Sequence, residues 1–520
     1  MEFHNGTSVS VMRRSMDKAG REAGITLQDL LEIENDGFFA GCVCPSTGIP
    51  VWPTIRNQFF RMIISDWFYT SQQLVDTAQK PPVYRIAKVA ARAAVHNFTH
   101  PPRRSFLLFY ASGAGLLDNN GYSRNRYTHG FSQLLGYDSW SIEGLFDDKW
   151  PLPREGGRIS FSLPGLASTA LYSRIGVAGV ARRIAHEMVE RATHRSDSLF
   201  GWQPGHARKD WLKISCERQL TGYPLKKKWL MRWLGRVEPR LLLIEEGCYG
   251  HAAVLNAAAR ECGVPVAEYQ HGIVTSGHDA YNVASALERS EPYRHALPDY
   301  FLGYGAWWNR QFNAPTKKVV IGYPHRATLL DRKKTIKKEA GMILVLGEGI
   351  ETSSYLDFCR KLGNLLSSDF KVVFRPHPLE RSRCISSIPG VGKGFSIDQE
   401  PDIYSSLSRA DVVVAELSTG LFEAVGLARR IIVWDTAKSR FGLPIHPFAR
   451  FDTLTDLARM IEEDGGAGIV SGNESEEIWA SDWQGRFHGF IDSVCGGVGS
   501  GGGKAIHGGG QEGCTGTGLR

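Results

Sequence analysis

Apolar runs of strand length alternate with longer segments of helical pattern from Ser105 onward. This alternation is typical of α/β architecture with parallel sheets. The first set of strand candidates comprises FLLFYAS (106–112), RLLLIEE (240–246), VPVAEYQ (264–270), DYFLGYG (299–305) and KKVVIGYP (317–324). We expect these five runs to build one domain.

A charged stretch, HRATLLDRKKTIKKEAG (325–341), separates this set from a second one. Because the apolar runs are nearly continuous, both sheets should be covered on both faces. The sequence therefore predicts an α/β fold of two doubly wound, Rossmann-like domains that face each other across a cleft. The second set comprises MILVLGE (342–348), KVVFRPHP (371–378), DVVVAE (411–416) and RRIIVWD (429–435).

The pattern also divides the whole chain into four parts. Residues 1–104 form a helical or irregular N-terminal extension that should pack on the first domain. The first domain covers 105–325 and the second covers 326–495. Residues 496–520 are too rich in glycine to bury a core, and we expect them to be disordered.

Composition fits a soluble protein of more than one domain. The chain has 520 residues, of which 42% are hydrophobic and 22% charged, and a single core rarely supports that length. We find no apolar run of about 18 residues that would span a bilayer. The first residues lack the basic-then-apolar order of a secretory signal, so we expect a cytoplasmic protein.

Charge and cysteine content exclude several classes of site. The nine cysteines are scattered, without the spacing of a zinc site or a disulfide scaffold, so reduced thiols and no metal are expected. A net charge of +7 is compatible with a phosphate-bearing substrate or an anionic membrane face. Motifs of nucleic-acid binding are missing from the sequence, and we predict no nucleic-acid partner and no cofactor.

Polar residues follow the predicted strand in LLLIEEGCYGH, where Glu245, Glu246 and Gly247 end the apolar run. Ligands of doubly wound sheets bind outside the carboxyl ends of the strands. A partly desolvated carboxylate at this edge has a raised pKa and can take a proton. Adjacent acids point apart, so only one should be catalytic, and we favour Glu246. A solvated loop, or a helix N-terminus where acids are merely favourable, is the structural alternative.

A histidine follows the next strand in EYQHGIVTSGHDAY, where Gln270, His271 and Gly272 begin the loop. The glycine permits a turn that other residues adopt at a cost. His271 is suited to donate a hydrogen bond to a phosphate or a sugar hydroxyl. A buried histidine that only shapes the turn is the alternative, and His278 offers a second imidazole nearby.

The stretch FRPHPLE ends a strand of the second domain abruptly. Pro376 and Pro378 cannot continue a central ladder, and they hold His377 between two fixed φ angles. Arg375 and His377 supply cationic or hydrogen-bonding groups that suit a phosphate.

Hydroxyl groups and free backbone N–H groups gather after the run DVVVAE. Ser418, Thr419 and Gly420 lie between this strand and the helical pattern LFEAVGLA, which is an arrangement that binds anions. An ordinary helix N-cap is the structural alternative. Glu423, one turn into the helix, is either a surface acid or within reach of a ribose.

The order of E-E-G, Q-H-G, R-P-H-P and S-T-G-x-x-E-A over residues 105–440 resembles the GT-B glycosyltransferases of bacterial capsule and lipopolysaccharide assembly. It resembles in particular the polysialyltransferase, sialyltransferase and Kdo-transferase groups, which use CMP-activated sugars. The resemblance implies a general base at Glu245 or Glu246 and a CMP phosphate held by the His-Pro histidine and the hydroxyl pair. The implied donor-binding set is Arg375, His377, Pro378, Ser418, Thr419, Gly420 and Glu423.

The resemblance also implies partners for the two domains. The first would bind a growing polysaccharide or a lipid-linked acceptor, and the second would bind the nucleotide-sugar donor. Because no D-x-D motif lies at a strand end, we expect no metal requirement. Teichoic-acid glycerophosphotransferases share an H-G, an H-P and a Ser-Ser/Thr element, so transfer of a polyol phosphate from a CDP donor stays open. A sugar-nucleotide epimerase is a weaker alternative.

A non-catalytic alternative comes from YPLKKKWLMRWLGRVEPR (223–240), where basic residues alternate with tryptophans. A basic and aromatic helix of this kind can lie on a lipid surface, as in a peripheral inner-membrane protein that assembles polysaccharide. The same contact would also suit an enzyme with a lipid-linked acceptor. Alternatively, the helix packs its Trp and Leu face on the first domain and leaves the lysines in solvent.

Overall fold

The structure is a computed structural model, and it describes the chain in several ranges with gaps between them. Residues 1–23 and 497–520 lie outside these ranges, so the expected disorder of the glycine-rich tail stays a prediction. The described residues are 24–69, 83–113, 115–119, 121–134, 138–145, 150–155, 158–163, 179–333, 336–378, 380–381, 384–385, 394–463 and 468–496.

The first sheet has seven parallel strands in the order β5-β4-β1-β6-β7-β8-β9, and β2 and β3 form a separate antiparallel hairpin. The strand order reverses between β1 and β6, which is where a doubly wound sheet opens a ligand crevice. The strands are β1 (Leu107–Ala111), β2 (Leu116–Asn119), β3 (Tyr122–Asn125), β4 (Ser139–Glu143), β5 (Arg158–Phe161), β6 (Leu241–Ile244), β7 (Val266–Tyr269), β8 (Tyr300–Gly303) and β9 (Lys317–Val320).

The second sheet has six parallel strands in the order β12-β11-β10-β13-β14-β15. Its order reverses between β10 and β13, where Leu344 pairs with Val413. The two sheets confirm the predicted fold of two doubly wound α/β domains. The strands are β10 (Met342–Leu346), β11 (Lys371–Arg375), β12 (Phe395–Ile397), β13 (Val412–Ala415), β14 (Arg430–Trp434) and β15 (Ala449–Phe451).

Helices cover both sheets, which explains why central strands such as LLLI (241–244) and VVVA (412–415) are buried at every position. The α-helices are Leu27–Leu31, Gly37–Gly41, Pro53–Phe68, Val83–Thr99, His129–Ser132, Gly179–Phe200, His206–Val237, Ala253–Glu261, Ser285–Glu288, Glu291–His295, Ala306–Asn309, Pro324–Lys333, Thr352–Leu365, Ile403–Arg409, Thr419–Glu423, Ala437–Gly442, Leu454–Glu462, Gly472–Ile478 and Trp483–Cys495; Glu32–Glu34 and Gly250–Ala252 are 3₁₀ turns.

The carboxyl ends of the two sheets face each other. Thr275, in the loop after β7, donates its hydroxyl to the carbonyl of Gly442 at 2.7 Å, and Gly442 lies in the helix after β14. Gly277 has no room for a Cβ atom, which would collide with the carbonyl of Phe441. These contacts join the loop after β7, which the sequence singled out, to the helix after β14 of the second domain.

The helix Pro53–Phe68 of the N-terminal region touches both domains. Arg56 is buried, pairs with Glu34 of the same region at 2.6 Å and donates to the carbonyl of Asn282 at 2.6 Å, and this second bond fixes the helix to the first domain. At its other end, Phe68 packs against Phe441 of the second domain with ring centroids 5.0 Å apart.

The chain crosses between the domains twice, and the two crossings touch at Trp479. The indole of Trp479 lies 5.1 Å from the ring of Tyr304 and donates to the carbonyl of Phe422 at 2.8 Å. Arg326, just after β9, stacks 4.7 Å over the same indole. Beyond this point the helix Trp483–Cys495 lies against the first domain, within the range predicted for the second.

The basic and aromatic stretch 223–240 lies mostly in the long helix His206–Val237. Trp233 and Leu234 are buried, and Lys227 pairs with Glu261 at 2.5 Å. This arrangement matches the alternative in which the apolar face packs on the first domain. Among the described residues, none of the helices combines the length and apolar character that crossing a bilayer demands.

Candidate active site

Glu245 lies at the reversal point of the first sheet, directly after β6. Its Oε2 atom accepts a hydrogen bond from the backbone N–H of Ser112, which follows β1, at 2.8 Å. The side chain is buried, and burial raises the pKa of Glu245 from 4.5 to about 7 against the opposing hydrogen bond from Ser112. A carboxylate with this pKa is suited to accept a proton near neutral pH.

Glu246 lies in a different environment although it is the next residue. Its backbone is left-handed, with φ at +58°, which is strained for a residue with a side chain. Burial alone would raise the pKa of Glu246, but His251, whose Nε2 lies 3.2 Å away, outweighs it and holds the pKa below 4.5. Glu246 is therefore ionised and paired.

His271 is a buried, neutral imidazole in the loop after β7. Burial lowers its pKa to about 4, against the nearby charge of Glu246. Its Nδ1 atom has no hydrogen-bond partner among the described residues and lies 3.9 Å from Glu268. Gln270 is structural, because its side chain bonds the carbonyl of Gly272 and the N–H of Tyr304.

Arg126 was not singled out in the sequence, yet its charge acts on both walls of the cleft. It follows β3, and its guanidinium lies 4.6 Å over the ring of Tyr127, whose hydroxyl it also contacts. Burial works to lower the pKa of Arg126, but Tyr127, Tyr323 and Glu423 together outweigh burial and raise it. The guanidinium therefore stays charged.

The same guanidinium is not fully satisfied by protein groups. The Nε atom of Arg126 is buried without a hydrogen-bond partner, and Arg126 forms no ion pair in the described ranges. Its charge lowers the pKa values of Glu245 and His271 on the first wall and of His377 and Glu423 on the second. Burying an unpaired cation is unfavourable, so this site favours an anionic ligand.

Arg375 is occupied by partners within the second domain. Its Nη1 contacts the buried carboxylate of Asp398, the hydroxyl of Ser406 at 2.9 Å and the carbonyl of Glu400 at 3.0 Å. These bonds hold the start of the loop after β11. The arrangement favours a structural role for Arg375 over the expected phosphate contact.

His377 reaches the cleft from the end of β11. Its backbone N–H donates to Glu380 at 2.9 Å, and burial lowers the pKa of its imidazole, helped by the charge of Arg126. Gly349, with φ at +90°, packs against the ring, and an added Cβ would lie 3.0 Å from Nδ1. Pro378 is exposed beside it. Pro376 and Pro378 therefore flank a neutral imidazole at the end of β11 in the second domain.

Ser418 is the N-cap of the five-residue helix Thr419–Glu423, and its hydroxyl accepts from the N–H of Gly420 at 3.2 Å. Gly420 is needed for packing, because a Cβ there would lie 2.5 Å from Leu346 of β10. In this structure Ser418 acts as a helix N-cap for Gly420, which is the structural alternative given above. A role of Ser418 and Thr419 at the donor phosphate stays a prediction.

Glu423 is buried at the end of this short helix and faces Arg126. Its Oε1 accepts from the hydroxyl of Tyr404 at 3.3 Å. Burial raises the pKa of Glu423, while Arg126 and Tyr404 oppose the rise. Of the two alternatives for Glu423, this environment disfavours a surface acid, and contact with a ribose stays a prediction.

A cluster of three carboxylates and one ammonium group lies at the reversal point of the second sheet. Lys438 is buried, and its Nζ lies 2.8 Å from Glu348, 3.3 Å from Glu351 and 2.5 Å from Glu416. Burial raises the pKa of Glu348 to about 7, against the charge of Lys438. The carboxylates have the spacing to hold a metal ion, but the ammonium group of Lys438 lies among them.

Two sequence comparisons find no match to a protein family model and none to a curated protein. Several solved structures are distantly similar. The wall teichoic acid polymerase TagF is 10% identical over 79% of this chain and 95% of that chain, with a TM-score of 0.40. A UDP-glucosyltransferase from Polygonum tinctorium is 11% identical over 77% and 100%, with a TM-score of 0.43. The glycosyltransferase SnogD from Streptomyces nogalater is 12% identical over 76% and 100%, with a TM-score of 0.39. At these values the likenesses do not assign an activity.

Proposed function

We propose that the chain is a metal-independent GT-B glycosyltransferase that moves a sugar from a CMP-linked donor to a surface-polysaccharide or lipid-linked acceptor. One observation carries the proposal: Glu245, a buried carboxylate with a pKa of about 7, lies at the reversal point of the first sheet and is electrostatically coupled to Arg126, which has no acidic partner in the described ranges. A proton acceptor and an anion site within one cleft are what transfer from a nucleotide donor needs.

In the proposed reaction the acceptor hydroxyl oxygen forms a bond to the anomeric carbon of the donor sugar. The bond between that carbon and the phosphate oxygen breaks, and CMP leaves with the bonding electrons. The hydroxyl proton passes to Glu245. The sequence favoured Glu246 for this role, but Glu246 is held ionised by His251, whereas Glu245 has the pKa of an effective base at neutral pH.

The donor phosphate would lie between the two walls. Arg126 supplies its positive charge, and His377 and His271 supply neutral imidazoles that can donate to phosphate oxygens. Ser418 and Thr419 extend this set from the second domain. Glu423 lies beside the same guanidinium, where a carboxylate can accept from ribose hydroxyls.

The choice of CMP rests on the resemblance of the four motifs, and a donor panel tests it. We would measure thermal shift and turnover with CMP-, CDP-, UDP- and GDP-linked donors. A ligand at 100 times its dissociation constant adds about 2.7 kcal/mol to apparent stability. Stabilisation and sugar transfer with a CMP sugar are the expected result. Transfer of a polyol phosphate from a CDP donor, or binding without any turnover, would contradict the proposal.

Metal independence rests on the acidic cluster of the second domain. An ion bound by Glu348 and Glu416 would compete with the ammonium group of Lys438, which already neutralises part of their charge. Turnover should therefore be unchanged by EDTA, and added magnesium should not raise it. Loss of turnover in EDTA that magnesium restores would refute this part.

We place the reaction at the cytoplasmic face of the inner membrane. Seven of the described cysteines are free thiols, which fits a reducing compartment: Cys42, Cys44, Cys216, Cys248, Cys262, Cys359 and Cys495. Fractionation of cells that produce the protein checks this assignment.

A further inference from the structure

The helix Val83–Thr99 carries apolar side chains on its exposed face. Tyr84, Val95 and Phe98 are 66%, 63% and 86% exposed. Residues that lie three, seven, eleven and fourteen positions after a given residue fall on the same face of a helix as that residue. We call this face the apolar stripe, and its members are Tyr84, Ala87, Ala91, Val95 and Phe98.

The opposite face of the helix fixes it to the edge of the first sheet. Val89 and Ala93 are buried. The side chain of Asn97 bonds both backbone groups of Phe161 in β5, donating to its carbonyl and accepting from its N–H at 2.8 Å each. The helix therefore cannot turn its apolar stripe inward without losing these bonds.

Basic residues accompany the apolar stripe. The segment 83–104 contains five Lys and Arg residues and not one Asp or Glu. Lys88 and Arg103 are exposed, and Arg92 lies 4.5 Å over the ring of Trp150 at the side of the helix. An exposed apolar face flanked by positive charge is the pattern of a helix that lies in the surface of an anionic bilayer.

We propose that the apolar stripe of this helix docks the protein on anionic lipid, with Phe98 and Tyr84 inserted at the headgroup level. Charge decides between lipid and the other possible partners. A second copy of the chain packed on the same stripe would bring two sets of basic residues together, which is unfavourable.

The position of the helix agrees with the proposed function without depending on it. Phe161 ends β5 at the carboxyl edge of the first sheet, the edge where Glu245 lies. Three strand spacings separate β5 from β6, which is about 15 Å. A membrane on the apolar stripe would therefore lie on the acceptor side of the cleft.

The test is sedimentation of the full chain with vesicles of phosphatidylcholine alone or with phosphatidylglycerol. Wild type should bind only the anionic vesicles, and salt should weaken the binding. Lys88→Glu with Arg103→Glu should lower partition at least about 25-fold, at about fivefold for each basic residue. The matched control is Lys228→Glu with Arg232→Glu on the other basic helix, which makes the same change of charge on exposed residues and should bind as wild type.

A second pair of variants tests the apolar part. Phe98→Ser should reduce binding, whereas Ile445→Ser, at a 58% exposed position of the second domain, should not. Melting temperatures and donor binding should stay the same in all four variants, so a failure of the proposed reaction would not affect this result. Equal losses in the two charge variants would overturn the proposal. So would a wild-type dimer in light scattering that Phe98→Ser converts to a monomer.

Discussion

Replacing Glu245 by glutamine should make the protein more stable and less active at the same time. In the folded state burial holds the pKa of Glu245 at about 7, whereas an unfolded glutamate has its ordinary value of 4.5. Because the folded state binds the proton more tightly, stability falls as the pH rises from about 4.5 to about 7. The difference corresponds to about 3 kcal/mol at pH 8. Glutamine is neutral, so it removes this cost.

The assay combines denaturant unfolding with turnover. Glu245→Gln should raise the free energy of unfolding by up to about 3 kcal/mol at pH 8 and by almost nothing at pH 4. Turnover with donor and acceptor should fall by about 10²–10⁴, because the proton acceptor is lost while donor binding stays intact. In the wild type, kcat should rise with pH through an apparent pKa near 7.

Glu246→Gln is the matched control because the pKa of Glu246 is shifted in the opposite direction from that of Glu245. The pKa of Glu246 is held below 4.5 in the folded state, so its carboxylate contributes stability above that pH and loses it as the pH falls. Glu246→Gln should therefore be less stable than wild type at pH 8, with a smaller loss of turnover. A gain for Glu245→Gln that is the same at pH 4 and pH 8, or full turnover in that variant, would refute the assignment.

Further variants test the donor wall and the domain connection. Arg126→Lys keeps the charge but loses the planar fork, so donor affinity should fall about tenfold by calorimetry while the neighbouring Arg124→Lys binds normally. Arg375→Met leaves Asp398 without its buried cation and should cost about 3–5 kcal/mol in denaturant unfolding. If this variant keeps its stability but binds the donor more weakly, Arg375 contacts the donor phosphate as the sequence predicted. Gly322→Ala should cost about 1–3 kcal/mol, because Gly322 has φ at +98° and a Cβ would lie 2.7 Å from the carbonyl of Ala480; a melting temperature equal to that of wild type would show that the backbone adjusts.

The sequence predicted all but one of the interior strands of the two sheets, and it missed three of their four edge strands. All nine predicted runs contain a strand, because strands covered on both faces are continuously apolar. The strands not predicted are the hairpin strands β2 and β3, the interior strand β4, and β5, β12 and β15, which are edge strands; the edge strand β9 was predicted. ARF (449–451) and FSI (395–397) are too short and too polar to differ from loops. Their pairing depends on the neighbouring strand.

The residues of the candidate site also differ in how well the sequence predicted them. Glu245 and His377 were found because they directly follow apolar runs whose carboxyl ends must meet. Arg126 was not found, since nothing in YSRNRYTHG marks one arginine among several. Its importance comes from burial and from the want of an acidic partner in the described ranges, and both depend on the folded chain. The role expected of Arg375 changed for the same reason, because Asp398 is 23 residues away in sequence.

We expect the contact of both chain crossings at Trp479 to act as a hinge between the domains. Two connections held together at one place allow the domains to rotate about that place and oppose sliding along the cleft. Contacts far from the hinge axis travel furthest during such a rotation. The hydrogen bond from Thr275 to Gly442 and the packing of Phe68 on Phe441 join the domains through residues outside both crossings, so we expect them to break if the cleft opens. We therefore expect that any rotation that opens the cleft to a ligand separates these two pairs.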